Sequence, residues 1–359
     1  MLPNTLKLVL LHQQYREPTN TDTMNNPHYY IYLFLATLMT ACSNNSGSNV
    51  QEAIIDNGSY PQATYWQGYY YFTMQPINDT VQLWKSNDIH NIAHTEPKVI
   101  FTADSMRHIW SPELHRISGK WYLYIEVDHG NTDDHQLAVL ENDAEDPMHG
   151  TFRWKGYIKT NDDWNFGIHP TSIVVGGQQY LLWSGWQHRR TESETQCIYI
   201  ARMENPWTLG SERVMLSQPD HEWERQWINP DGSRSAYPIY VNENPEAFVS
   251  PDGRKVCVCY SASGIWTAYN SLGILYADAN ADLLNPRVWT KSDEPLFYNT
   301  GGKFFGISNI SIVPSADDQK PILLFEAKWR DDKDNDRRSI FARSIKWTKE
   351  GLPDFGQPQ

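Results

Sequence analysis

The stretch Val241-Asn-Glu-Asn-Pro-Glu-Ala-Phe-Val-Ser250 decides the fold, together with the Pro251-Asp-Gly253 turn and the run Lys255-Val-Cys-Val-Cys-Tyr260 that follow it. A carboxylate lies just ahead of a proline, and two strand-like runs flank a turn. A lone Glu243 in this setting would read as a solvated loop acid. The reading changes because the same local design recurs, and internal repeats outrank any single motif. Tyr60-Pro61 leads through residues 62–66 to a turn at Gln67-Gly68 and a second run at 69–72. Ser111-Pro112 leads through 113–117 to Ser118-Gly119 and 121–124, and His169-Pro170 through 171–175 to Gly176-Gly177 and 180–183. The residue before proline stands eight places ahead of the turn glycine in all three, 60 to 68, 111 to 119 and 169 to 177. Asn244 to Gly253 is nine, with Glu243 one place further back. A looser fifth copy runs from Ser308-Asn309 through 310–314 and a polar turn at Asp317-Asp318 to Pro321-Ile-Leu-Leu-Phe325.

Each unit reads as a hairpin. The residue before proline is pushed toward extended geometry, glycine makes the turn, and aromatic and β-branched residues fill the second strand. Five units leave room for about four strands each, and radial arrays of four-stranded sheets are β-propellers. The predicted fold is all-β, a five-bladed β-propeller. The first strand of each blade then lines the central channel. Tyr60, Trp110 or Ser111, His169, Glu243, and Ser308 or Asn309 would converge there.

The chain of 359 residues has 13% aromatics, with 15 Trp and 20 Tyr, and a net charge of −13. Aromatics pack sheets and also stack on sugar rings. A chain this acidic, with no basic patch, argues against nucleic acid as a partner, because phosphate neutralisation needs clustered Lys and Arg. No apolar run is long enough to span a bilayer as a helix. Residues 29–40 have the length of a signal-peptide apolar region. Met39-Thr40-Ala41-Cys42 resembles a bacterial lipoprotein cleavage box, in which Cys42 becomes the lipidated first residue. Residues 1–41 then form the signal peptide, 42–53 a polar tether, and 54–359 the propeller. The expected location is the cell envelope, anchored by lipid to the outer membrane on its periplasmic or surface face. Cys197, Cys257 and Cys259 remain; an odd count argues against a disulfide framework, and all three read as small buried residues. No spacing suggests zinc. One short helical turn is expected at 279–284.

Over about residues 54–358 the chain resembles glycoside hydrolase family 43, the five-bladed propeller glycosidases, and most of all its arabinofuranosidase branch. The resemblance is carried by Tyr69-Tyr-Tyr with Val81-Gln-Leu-Trp-Lys-Ser86, Ile109-Trp-Ser-Pro-Glu-Leu-His115, Asp128 to His135 with Val139-Leu-Glu-Asn142, Leu182-Trp-Ser-Gly-Trp186, Asn205-Pro-Trp207, Val241-Asn-Glu-Asn-Pro245, Tyr260-Ser-Ala-Ser-Gly-Ile-Trp-Thr267 and Leu272-Gly-Ile-Leu275. The resemblance implies an inverting glycosidase with three channel acids: an Asp base in blade one, a modulating Asp in blade three and a Glu acid in blade four. Two carboxylates are the minimum, one to protonate the leaving oxygen and one to deprotonate water.

Carried over position by position, Glu243 matches the general acid. Tyr60 stands at the base position and His169 at the modulator position, so both are substituted. The family's channel His of blade five, which helps hold water or a cation, has its counterpart at Asn309, with Ser308 as the other register. No cofactor is expected, and a channel cation has no support in the sequence. Trp110, Asp128, His135, Trp186, Trp266 and Asn309 are the candidate substrate-binding residues. The polar stretch 126–135 reads as a loop, Glu113 and Glu246 fit strand positions, and Glu246 is the alternative acid. A tyrosine, with a pKa of about 10, is a poor base at neutral pH. Several readings follow. Tyr60 could be a nucleophile activated by Glu243. Asp56 or Asp128 could reach the water, or His169 could serve as acid or base. The substrate could bring its own base. Alternatively, hydrolysis is lost and the channel only binds glycan. The favoured expectation is a glycosidase, exo-acting on arabinofuranosyl or related units.

Overall fold

The computed structural model describes residues 52–188, 195–226, 240–264, 269–299, 304–317, 320–329 and 337–358. Cys42, the expected signal peptide, nearly all of the tether, Trp266 and the acidic run 331–336 lie outside the described residues.

Five antiparallel sheets follow one another along the chain. After β1 (Ala53–Asp56), blade one holds β2 (Gln62–Trp66), β3 (Tyr69–Thr73), β4 (Thr80–Ser86) and β5 (Lys98–Thr102). Blade two holds β6 (Arg107–Ile117), β7 (Lys120–Asp128), β8 (Gln136–Asn142) and β9 (Arg153–Tyr157). Blade three holds β10 (Gly167–Val175), β11 (Gln178–Trp186), β12 (Gln196–Asn205), β13 (Thr208–Leu209) and β14 (Val214–Ser217). Blade four holds β15 (Asn242–Val249), β16 (Lys255–Ala262), β17 (Ser271–Asp278) and β18 (Thr290–Lys291). Blade five holds β19 (Phe305–Pro314), β20 (Pro321–Lys328) and β21 (Ser339–Ser344), and its outer strand is β1, paired antiparallel with β21. The first strand of the chain therefore completes the last sheet. Ala53, the end of the expected tether, already pairs with Phe341. A small hairpin of β22 (Lys346–Trp347) and β23 (Pro353–Asp354) follows.

Each sheet has two faces, and in a propeller both must be covered by neighbouring blades. Five apolar clusters do this, one at each blade junction. Tyr71, Leu83, Trp121 and Leu123 join blades one and two. Tyr124, Val139, Trp183 and Tyr199 join two and three. Leu182, Ile198, Val258 and Leu275 join three and four. Cys257, Cys259, Phe325 and Phe341 join four and five. Tyr70, Phe72, Leu324 and Ile340 close five onto one. Cys197, Cys257 and Cys259 are buried and none is in a disulfide. Period-two alternation explains how one strand serves two junctions: Val256 and Val258 face blade three while Cys257 and Cys259 face blade five. Blade four also needs a close approach at Gly273, where an added Cβ would collide with the Tyr260 ring.

Two local expectations are corrected. The residues before proline are not extended: φ is 53° at Tyr60, 39° at Ser111, 52° at His169 and 57° at Asn244, and Asn309 in the fifth copy matches them at 45°. In blades two to five the strand continues through this corner with a shift in register, as a bulge. The extra residue re-aims the inner strand, which overrides the steric preference at each proline. Asn tolerates this conformation; for Tyr, Ser and His it stores about 1–3 kcal/mol of strain each. The expected helical turn at 279–284 is a pair of non-helical turns, with a short 3₁₀ turn next to it at Pro286–Val288.

Candidate active site

The five corners form the geometric centre of the candidate site. Each corner residue's backbone N–H points at a side chain at or just past the end of the second strand of the preceding blade. Tyr60 donates to Glu326 Oε2 at 2.6 Å, Asn244 to Ser184 Oγ at 3.0 Å and Asn309 to Ser261 Oγ at 3.0 Å. Ser111 donates to Gln75 Oε1 at 3.5 Å. At the fifth corner, His169 approaches Glu126, but neither Glu126 oxygen completes a hydrogen bond of good geometry. Two of these five acceptors are glutamates. They stand next to the two corners that carry Tyr60 and His169.

The site residues named from sequence converge in part. Tyr60 and His169 are in ring contact, with centroids 5.3 Å apart. Glu243 is buried and acts electrostatically on Tyr60. Burial first, then the charges of Glu243 and Glu326, push the Tyr60 phenol well above its usual pKa, so it is held neutral. Burial lowers the His169 imidazole to about 3, with His135 acting in the same direction. Asn309 is buried, and its side-chain oxygen accepts from the Asn244 amide.

Trp110 stacks on His135 at 4.1 Å, and Trp186 stacks on Phe166 at 4.2 Å. These rings wall the site between blades two and three. Trp186 is buried among them, whereas Trp110 is only partly covered. Asp128 ties down the loop that follows it: its carboxylate accepts from Gly130 N–H at 2.6 Å and meets His108 Nδ1 at 2.8 Å. His135 turns its two ring nitrogens to the carbonyls of Thr132 and His108, each at 2.8 Å. Asp128 and His135 thus shape the wall and leave the channel floor to others.

Sequence reasoning missed Glu126 and Glu326. Glu126 was placed in a loop; it lies on β7, fully buried. Burial pushes its pKa well above the usual glutamate range, opposed by the His169 N–H and the Ser111 hydroxyl. Its Oε1 is 3.8 Å from His169 Nε2. Glu326 is saturated: beyond Tyr60 N–H it accepts from Ser308 Oγ at 2.8 Å and pairs with Arg338 at 3.0 Å. The available signal was a charged residue ending an otherwise apolar second strand, in Tyr124-Ile-Glu126 and Phe325-Glu326.

Two residues beyond each corner lies a second ring: Gln62, Glu113, Thr171, Glu246 and Ser311. Here the acids are bonded. Glu113 accepts from Thr171 Oγ1 at 2.6 Å and meets His115 Nε2 at 2.5 Å. Glu246 accepts from Gln62 Nε2 and from Ile312 N–H, each at 3.2 Å. Most of this ring lines a cavity of about 230 Å³ further along the channel. A larger cavity of about 440 Å³, between Trp223, Tyr269, Asn270 and Tyr298, is lined by none of the corner residues. Among the described residues no group of three or more His, Cys, Asp or Glu could hold a metal.

The model of the glycosyl hydrolases family 43 matches residues 54–353. The chain belongs to that family. Among curated relatives of this family 43 chain, alpha-L-arabinofuranosidase B of Pyricularia oryzae is 33% identical over 301 residues, 81% of this chain and 59% of the relative. An extracellular exo-alpha-(1->5)-L-arabinofuranosidase of Streptomyces avermitilis is 34% identical over 305 residues, 81% of this chain and 60% of the relative. The chain thus spans about three fifths of the length of these relatives. The crystal structure of an alpha-L-arabinofuranosidase from Lactobacillus brevis matches with a TM-score of 0.76 and 27% identity, covering 86% of this chain and 97% of that one. A thermostable family-43 glycoside hydrolase shares the fold, with a TM-score of 0.67 at 17% identity.

Proposed function

We propose that this family 43 propeller is a glycosidase that removes terminal arabinofuranosyl or related units from a polysaccharide or oligosaccharide, with Glu243 as the general acid. The observation that carries this reading is the ring contact of Tyr60 with His169 and the action of buried Glu243 on Tyr60, from the inner strands of three blades and beside an aromatic wall. The arabinofuranosidase relatives support the choice of sugar. In this reading Glu243 gives its proton to the departing oxygen, Tyr60 lies neutral against the sugar, and Trp110 stacks on it. Trp266 is a further candidate for stacking, and Asn309 fixes the far side of the channel.

A second reading is favoured by one feature. The two substituted corners present a phenol held neutral and an imidazole lowered to about 3, both weak bases. A glycan-binding propeller without turnover fits those groups. A panel of aryl glycosides and arabino-oligosaccharides separates the two. Release of sugar that disappears in Glu243→Gln supports the enzyme. Binding without release in the wild type, unchanged in Glu243→Gln, supports the binding module.

We also propose that Cys42 carries a lipid that tethers the propeller to the outer membrane. Labelled palmitate incorporated by the wild type and absent from Cys42→Ser supports this; equal labelling of both refutes it.

A further inference from the structure

The five corner contacts give an internal control for what each acceptor has to do. Ser184 and Ser261 meet the need with a hydroxyl, and Gln75 with an amide. A carboxylate is more than the contact requires. At Glu326 the excess is absorbed by Arg338 and Ser308. At Glu126 only the His169 N–H and the Ser111 hydroxyl approach, and neither buried oxygen completes a hydrogen bond of good geometry. The same holds for both ring nitrogens of His169, one of which lies 3.8 Å from Glu126 Oε1. Two unsatisfied buried polar groups facing each other are a rare arrangement outside functional sites.

We propose that Glu126 and His169 form a carboxylate–imidazole dyad, in which His169 takes the proton of the attacking water and Glu126 fixes its ring and tautomer. This rests on the glycosidase reading above. His169 Nε2–H turns to Glu126, which leaves Nδ1 free to accept. The water oxygen bonds to the anomeric carbon as the glycosidic C–O bond breaks. The water's proton goes to His169 Nδ1, and the Glu243 proton goes to the departing oxygen, so no oxidant or further reactant is needed. His169 is the catalytic residue and Glu126 the positioning residue, the division of labour of a base oriented by a buried acid. Burial disfavours both an isolated imidazolium and an isolated carboxylate, so in the dyad the two charges form together as an ion pair and each stabilises the other. The pair titrates as a unit. The other titratable and charged groups that bear on this pair are Tyr60 in ring contact with His169, His135 acting on His169 and itself beside Asp128, Glu113 acting on Glu126 and on Glu246, and Glu243, Glu326 and Arg338 acting on Tyr60.

The test combines two readouts on wild type, Glu126→Gln, Glu126→Asp and Glu243→Gln. Nitrogen-15 histidine NMR follows the His169 ring, assigned by its loss in His169→Asn. The dyad predicts an Nε2–H tautomer in the wild type and a titration midpoint at least one unit lower in Glu126→Gln. It also predicts a kcat lowered by about 10²-fold or more with KM within threefold, an acid limb moved to lower pH, and partial recovery in Glu126→Asp. An unmoved midpoint, or a kcat within threefold of wild type, overturns the dyad. If Glu126→Gln does not fold, His169→Asn carries the test: the acid limb must vanish, and its persistence overturns the proposal. Wild-type turnover lost in Glu243→Gln but kept in Glu126→Gln removes the dyad and leaves the glycosidase reading standing. No turnover in the wild type removes both.

Discussion

The channel carries two rings of residues only two places apart along the same inner strands, and the acids that meet them are finished differently. In the ring of Gln62, Glu113, Thr171, Glu246 and Ser311, each acid is bonded to a neighbouring blade. In the corner ring, Glu126 and His169 are left open beside Tyr60 and Glu243. The acids of both sets, Glu113, Glu126, Glu243 and Glu246, are buried, so desolvation alone does not separate them. The number of completed hydrogen bonds does. An interior acid with its partners in place is architecture; one without them is poised for a ligand.

The largest effect that would sharpen this contrast is on turnover. Glu243→Gln should lower kcat by about 10²–10⁴-fold while the melting temperature stays within a few degrees of wild type. A comparable loss from Glu113→Gln would erase the distinction between the rings. Next is the saturated member of the acceptor set. Arg338→Met leaves Glu326 buried without its cation and should cost about 3–5 kcal/mol in denaturant unfolding. A cost below about 1 kcal/mol would mean that the pair is not held as described.

A smaller effect concerns Glu246, whose pKa is raised by burial and then by the charge of Glu113. A carboxyl raised on folding contributes most stability below its unfolded pKa and loses it as pH rises toward its folded value. Glu246→Gln should therefore match wild type near pH 4 and melt higher at pH 8, with turnover within threefold. A lower melting temperature at pH 8 would contradict that sign. The smallest expected change is Trp110→Ala. Removing one partly covered ring should raise KM by about tenfold with little change in kcat, since stacking on a sugar contributes on the order of 1–3 kcal/mol.

The architecture was legible because it repeats. Tyr60, Ser111, His169 and Asn244 precede prolines at nearly constant distance from a turn, and the strands fall where that spacing puts them. The conformation at those corners was not legible, because the preference of a residue before proline is local, while the bulge that overrides it answers to the closure of the ring. The burial of Glu243 on an inner strand was readable from its place two residues before Pro245. Glu126 was not, since its meaning depends on His169, which is distant in sequence and lies on another blade. Nor could Asp128 and His135 be assigned from the density of polar residues in 126–135. Their hydrogen bonds turn inward to their own loop and to Arg107–Ile117.

The pairing of β1 with β21 sets the order in which the molecule can be made. Among the described residues β1 emerges first during synthesis, and it lacks its partner β21 until blade five has been translated, so closure of the ring waits on that blade. Until then Ile54 and Ile55, which pack against the junction between the fifth and first blades, have nothing to cover them. A shortened gene beginning after Asp56 would yield a ring with an unzipped seam.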